Sequence, residues 1–241
     1  MTPRIDQLWV YLSASPLLGL TLTLVAYQGA FWIYRRSGNH PLANPVLIAV
    51  TLLVVFLLTS GTSYEAYFEG AQFVHFLLGP TTVALAIPLY TQFRRVRAML
   101  WPVMAGLLAG SLTAILSAMA VARLFGASPA TELSLAPKSV TAPIAMGIAE
   151  RIGGTPSLTA VLVIITGVLG AVGARYVFDA IKLRDQAISG FALGVASHGI
   201  GTARAFQISE QAGAFAALAM GLNGALTALL LPLLLRWAGQ T

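Results

Sequence analysis

The sequence predicts an all-α polytopic membrane protein, and three observations carry that reading. Of 241 residues, 57% are hydrophobic and only 9% charged, whereas soluble domains carry about a quarter charged residues. The apolar residues gather into about eight stretches, most near the roughly 20 residues that span a bilayer. Three of these stretches hold prolines, glycines or ionisable groups. Lipid tolerates such interruptions only where protein or a water-filled cavity surrounds them.

The stretches run at about 8–34 (with Pro16 inside), 43–59, 71–90, 98–125, 133–149, 157–178, 187–206 and 212–236. The second, sixth and eighth read as plain lipid-spanning helices. The third holds Gly79-Pro80-Thr81-Thr82 in its middle. The fifth holds Lys138 between Pro137 and Pro143. A lysine at bilayer depth costs roughly 3 kcal/mol, so it is expected to face a cavity. The seventh, across 190–204, is too rich in Gly, Ser and Thr for a lipid-facing helix. Helix breaks are therefore expected at Gly79 and Pro80, at Pro137 and Pro143, and at Gly199 and Gly201.

Weak internal similarity links Ser15-Pro16-Leu17-Leu18 with Thr155-Pro156-Ser157-Leu158, and 83–89 with 226–233. It predicts one transmembrane domain over 1–241 with repeat halves at about 8–97 and 140–241. Interrupted segments in repeats are the pattern of secondary transporters.

Twelve of the fourteen bases are arginine, and they cluster between the apolar stretches. That is topology information, not a nucleic-acid footprint. The positive-inside rule puts the loops of Arg35, Arg36 and of Arg94, Arg95, Arg97 in the cytoplasm. The loop of Arg175, Lys182 and Arg184 joins them only if the fifth segment dips in and returns on the same side. The first residues lack a basic region followed by a short apolar core, so no cleaved leader is expected. The absence of cysteine excludes disulfides and thiolate chemistry. The histidines His40, His75 and His198 are far apart, and no metalloprotease, phosphate-loop or nucleophile-elbow motif occurs. No enzyme activity, cofactor or metal is expected.

Candidate binding residues fall in the three interrupted segments. Lys138 is placed to pair with an anion. Ser139 and Thr141 flank it, and their hydroxyls serve either a carboxylate or carbonyls freed at the break. Ser197, His198, Thr202 and Arg204 form a second cluster. His198 reads equally as a proton-coupling group or as a satisfied buried histidine. Arg204 reads as a carboxylate clamp or as an interfacial base. Thr81 and Thr82 offer further hydroxyls, or bond back to their own helix. The site is expected where the third, fifth and seventh segments meet. Gly106 and Gly110, like Gly190 and Gly194, permit close helix approach, and the first pair favours a homodimer.

The blocks Gly79-Pro80-Thr81-Thr82, Pro137-Lys138-Ser139-Val140-Thr141-Ala142-Pro143 and Ala196-Ser197-His198-Gly199-Ile200-Gly201-Thr202-Ala203-Arg204 resemble the LrgB/CidB family. Plant relatives of that family include the plastidial glycolate/glycerate translocator. Ala142 stands where a second threonine is usual, and Thr81-Thr82 where small apolar residues are common. The resemblance implies a bacterial inner-membrane protein with one of two functions. One is a carrier for small monocarboxylates such as glycolate, glycerate, pyruvate or lactate. The other is a holin/antiholin-like regulator of murein hydrolase activity and autolysis, working with a small LrgA/CidA-like membrane partner. The residues favour the carrier, since a pore-forming assembly needs neither a buried lysine nor a Ser-His pair in broken helices.

Overall fold

The computed structural model describes residues 16–40, 43–237 and 239, and these form helices with no strand. The chain divides into two compact units, Met1–Ala84 and Leu85–Thr241. In the first, α1 (Pro16–Arg36) packs on α2 (Pro45–Ser60) and on α3 (Tyr64–Phe76), and α4 (Leu78–Ala84) follows. A Cβ at Gly19 would strike the Tyr67 carbonyl, so glycine is what lets α1 and α3 touch. Thr23 Oγ1 and the Tyr67 hydroxyl share a hydrogen bond of 2.7 Å at that contact. The Asn44 side chain caps α2 by accepting from the Val46 and Leu47 amides.

The second unit contains α5 (Ala86–Thr91), α6 (Phe93–Ala98), α7 (Leu100–Leu124), α8 (Pro129–Leu135), α9 (Ala142–Ile152), α10 (Pro156–Ala180), α11 (Gln186–Ile208) and α12 (Glu210–Trp237). Among the described residues, four helices are long and apolar enough to cross a membrane: α1, α7, α10 and α12. The remaining apolar stretches are shorter or broken. The 71–90 stretch divides among α3, α4 and α5, with interruptions at Leu77 and Leu85. Gly79 and Pro80 lie inside the first turn of α4 and do not break it. A proline costs little there, because first-turn amides have no partner within the helix.

Two hairpins of helix enter the second unit from opposite ends. At one end Arg95 pairs with Asp185 at 2.7 Å. Thr91 bonds Glu210, and Gln211 bonds Gln92, each at 3.4 Å. Residues flanking α11 on both sides therefore lie at the same end. A straight helix of 23 residues would hold them about 35 Å apart. Instead the backbone turns at Ser197 (φ −132, ψ 16) and His198 (φ 41, ψ −132). The arm at 199–208 comes back along 186–196, and Leu193, Ala205, Ala212 and Ala216 form one buried cluster. Gly199 and Gly201, expected at the break, lie in the returning arm. Gly201 is needed there, since a Cβ would meet the Leu193 carbonyl oxygen at 2.5 Å.

The second hairpin is α8, the unwound stretch 136–141, and α9. It enters at the other end, where Arg123 of α7 holds Glu132 of α8 at 2.6 Å. Pro137 sits in the unwound stretch, and Pro143 in the first turn of α9. The end of α9 returns beside Ser134: a Cβ at Gly154 would meet the Ser134 amide. Ser134 Oγ accepts from the Thr155 amide at 2.7 Å, and Thr159 donates to the Ser134 carbonyl at 3.0 Å. Consequently α10 starts at the Arg123 end and finishes at the Arg95 end. The basic clusters around Arg95 and Arg184 thus share one end. Each hairpin arm of eleven residues, 186–196 and Ala142–Ile152, reaches about 16 Å, half a bilayer core.

The tips meet beside Asn223, midway along α12. Its amide donates to the Ser139 carbonyl at 3.3 Å and to the Val195 carbonyl at 3.1 Å. Its oxygen accepts from Ser111 of α7 at 2.5 Å and from Thr227 at 3.5 Å. These four polar residues are buried. α12 is accordingly not the plain lipid-spanning helix its hydropathy predicts; residues 212–217 are all buried. Small side chains make this possible, because Gly190 and Gly194 press against the carbonyls of Ala212 and Ala216 with no room for a Cβ.

Gly190→Val is expected to lower stability by about 1–3 kcal/mol through overpacking. Gly221→Ala, where nothing lies within 4 Å, is expected to be neutral or slightly stabilising. Thermal unfolding in detergent tests the pair, and equal shifts would refute the close backbone contact.

Asp185 caps α11, and its carboxyl is held below the usual carboxylate range, first by the Ile188 amide and then by the Ala187 amide and Arg95. Asp185→Ala is expected to cost up to about 1 kcal/mol at neutral pH. A depressed folded-state pKa gives stability that is present above the ordinary carboxylate pKa and lost as pH falls through the folded value. The difference between parent and variant should therefore be full at pH 7 and shrink as pH falls below the ordinary carboxylate pKa.

Candidate functional site

A cavity of about 840 Å³ opens between α7, α10 and the two hairpin tips. Its walls are mainly apolar, with Leu169, Ile188, Phe191 and Val195 among them, and Gly106, Gly110 and Gly170 leaving the space. The hydroxyls of Thr113, Ser139, Thr166 and Ser197 interrupt them, and Lys138 is the one charged lining residue. Lys138 is half-buried, and its Nζ lies 3.5 Å from Ser139 Oγ. Among the described residues no carboxylate pairs with it. An unpaired ammonium at the tip of a broken helix attracts an anion, since a partly desolvated charge gains most from a counter-ion.

Ser197 faces the same cavity from the other tip. It is 1% exposed, and its hydroxyl is the buried side-chain atom left without a hydrogen-bond partner among the described residues. A buried hydroxyl with nothing to bond costs about 1–3 kcal/mol, which a bound acceptor would recover. Gly170 of α10 makes room for it, for a Cβ there would occupy the position of Ser197 Oγ. The structure thus gathers Lys138, Ser139 and Ser197 around one space.

The other sequence candidates fall elsewhere. His198 is buried but points at α10, where Nε2 lies 3.0 Å from the Val163 carbonyl. A carbonyl only accepts, so that nitrogen carries the proton. Gly167 clears space for the ring, as its Cβ would meet the imidazole. His198 also holds a positive φ of 41, a conformation costing about 1–3 kcal/mol outside glycine. Gly199 next to it would take that conformation free, so the turn is placed to lock the imidazole against α10. Thr202 bonds the His198 carbonyl at 2.8 Å and serves the break, not the cavity. Thr141 is the N-cap residue of α9 without a side-chain cap bond, and it does not line the cavity. Arg204 contacts Gln207 at 3.0 Å, away from the cavity lining. Thr81 is exposed in the first unit; α5, the part of the third segment in the second unit, meets the start of α12 and not the tips. The side chain of Thr82 lies outside the described residues.

The Gly106 and Gly110 pair, read as a dimer face, packs within the chain against Phe191 and Val195 of α11. Sequence reasoning also missed Asn223 and Ser111. Their signal was present: an asparagine in the middle of the apolar 212–236 stretch is a costly choice in lipid.

Fold and site together define an all-helical membrane protein with a cation-bearing cavity between two helical hairpins. The chain belongs to the LrgB-like family, whose model matches residues 23–237. Similar proteins include the antiholin-like protein LrgB of Bacillus cereus (strain B4264), 30% identical over 226 residues, covering 93% of this chain and 98% of that protein. The antiholin-like protein LrgB of Bacillus anthracis (strain CDC 684 / NRRL 3495) is 30% identical over the same shares. No solved structure matches.

Cysteine is absent, so single cysteines report on access directly. Ala196→Cys, on the cavity wall, is expected to react with a small water-soluble thiol reagent, and Leu193→Cys, 2% exposed, is expected not to. Adding Gly170→Ala should alter the Ala196→Cys rate by displacing the Ser197 tip. Equal labelling at both positions would remove the cavity as an aqueous space.

Proposed function

We propose that this chain is a secondary carrier that moves small monocarboxylate anions across a bacterial inner membrane. The observation that carries the reading is the convergence of the unpaired Lys138 and the unpartnered Ser197 hydroxyl on one cavity. A carboxylate supplies the counter-charge for the ammonium and acceptor oxygens for the hydroxyls of the lining. The apolar remainder of the wall suits a short carbon skeleton with a single charge. A second acid group would find no second cation.

Two features fit a carrier mechanism. Each tip lies about halfway along a long helix, at Asn223 of α12 and beside Gly170 of α10, as midplane sites of transporters do. The carrier reading takes α7 plus the α8–α9 hairpin, followed by α10 plus the α11 hairpin, as two repeats of inverted direction. That grouping differs from the repeat halves read at about 8–97 and 140–241. The Arg95 end, rich in Arg94, Arg97, Arg175, Lys182 and Arg184, is taken as cytoplasmic.

A second reading is an antiholin-like regulator of murein hydrolase activity that acts by assembly with a small membrane partner. The relatives' name, antiholin-like protein LrgB, supports it more directly than it supports the carrier. Purified protein in proteoliposomes, offered glycolate, glycerate, pyruvate and lactate, separates the two. The carrier reading expects saturable uptake of at least one acid. Lys138→Gln should weaken it about 10- to 100-fold, as loss of a charged hydrogen bond of 1.5–3 kcal/mol implies. Lys138→Arg should rescue poorly, because a planar fork replaces a compact ammonium. No uptake of any acid, together with an autolysis phenotype indifferent to Lys138→Gln, would leave the regulator.

A further inference from the structure

The two hairpin tips come from stretches of chain far apart in sequence, and each leaves carbonyl groups that regular helix geometry no longer serves. One side chain answers both. The Asn223 amide group bonds the Ser139 carbonyl, next to Lys138, and the Val195 carbonyl, two residues before Ser197. Its oxygen is in turn anchored by Ser111 of α7. All three residues that carry these side-chain and backbone groups on α7, α12 and the first tip are buried, and Asn223 is 1% exposed.

We propose that Asn223 is a positioning residue that couples the two tips, so that they take up their places around the cavity as one body. Lys138 and Ser197 then present their groups to a single anion only while both amide bonds hold. The residue does not line the cavity, so its effect reaches the anion through the tips alone. The side chain is well suited to this, since an amide supplies two donors and an acceptor with no charge to desolvate. Aspartate of the same size offers at most one donor when protonated and none when ionised. Leucine offers none, and would leave the Ser111 hydroxyl and two carbonyls unsatisfied. The consequence for uptake rests on the carrier reading; the coupling itself does not.

The test uses paired cysteines in the full chain, which contains none of its own. Ser139→Cys with Ala196→Cys spans the tips across the cavity, and both positions line it. Thr91→Cys with Glu210→Cys lies at the exposed end of the same unit, where the two side chains meet at 3.4 Å. A short bifunctional thiol reagent should join the first pair in the Asn223 background. In Asn223→Asp its yield should fall about fivefold, the equivalent of one hydrogen bond near 1 kcal/mol. The second pair, away from the tips, should hold its yield in the same variant. Parallel loss in both pairs would make Asn223 a general packing residue and overturn the proposal. So would unchanged yield across the tips. Should Asn223→Asp fail to fold, Ser111→Ala removes only the anchor on the asparagine oxygen and must lower the cross-tip yield selectively. In proteoliposomes Asn223→Asp should raise the KM for the transported acid about fivefold. If the parent takes up no acid while the cross-tip yield still depends on Asn223, the carrier reading fails and the coupling stands.

Discussion

The second unit depends on one constraint, the need to satisfy backbone polar groups where helices stop inside an apolar interior. An unbonded carbonyl or amide in hydrocarbon costs several kcal/mol, and two broken hairpins expose several at once. The structure answers with buried side chains: Asn223 for one carbonyl on each tip, Thr202 for the His198 carbonyl, Thr159 for the Ser134 carbonyl. Asn223 and Thr159 come from neighbouring helices that must lie close, so satisfying the breaks also fixes how α10 and α12 surround them.

Close approach in turn needs small residues. Gly190 and Gly194 bring the first arm of the α11 hairpin onto the Ala212 and Ala216 carbonyls, and Gly167 and Gly170 seat His198 and Ser197 against α10. Without a hydrophobic driving force between helices in lipid, dispersion contacts at such faces carry the packing. Further glycines, Gly106 and Gly110, leave the cavity where α7 faces the tips, because they put no side chain into it. Packing and cavity are thus two outcomes of one choice of residue size.

Much of this was legible from residue type, and the missing part was direction. Lys138 and Ser197 stood out because charge or hydroxyl content in an apolar stretch has few bland explanations, and the structure sets both on the cavity. Arg204 and Thr202 shared a motif with Ser197, yet the turn at Ser197–His198 sends them back along the hairpin. No proline marks that turn, and periodicity alone does not distinguish a helix that continues from one that doubles back. Gly79 and Pro80 misled for the opposite reason, since proline in a first turn starts a helix as readily as it ends one. Asn223 was hidden by its neighbours, whose average hydropathy described α12 as ordinary lipid-facing helix. A single buried amide contributes little to an average and much to the accounting of hydrogen bonds.

The geometry also bears on how the two functional readings differ. A regulator acting through assembly needs surfaces, and its interior would be selected for stability. On the carrier reading, a bound ligand would repay a buried serine hydroxyl without a partner, a lysine without a carboxylate on the same cavity, and a histidine in a costly backbone conformation. Strain and unmet polar groups at one place persist where a ligand or a movement repays them. The relatives' names, antiholin-like protein LrgB, fit the second reading. On the carrier reading the interior serves an anion, and any regulatory role would act through what that cavity holds.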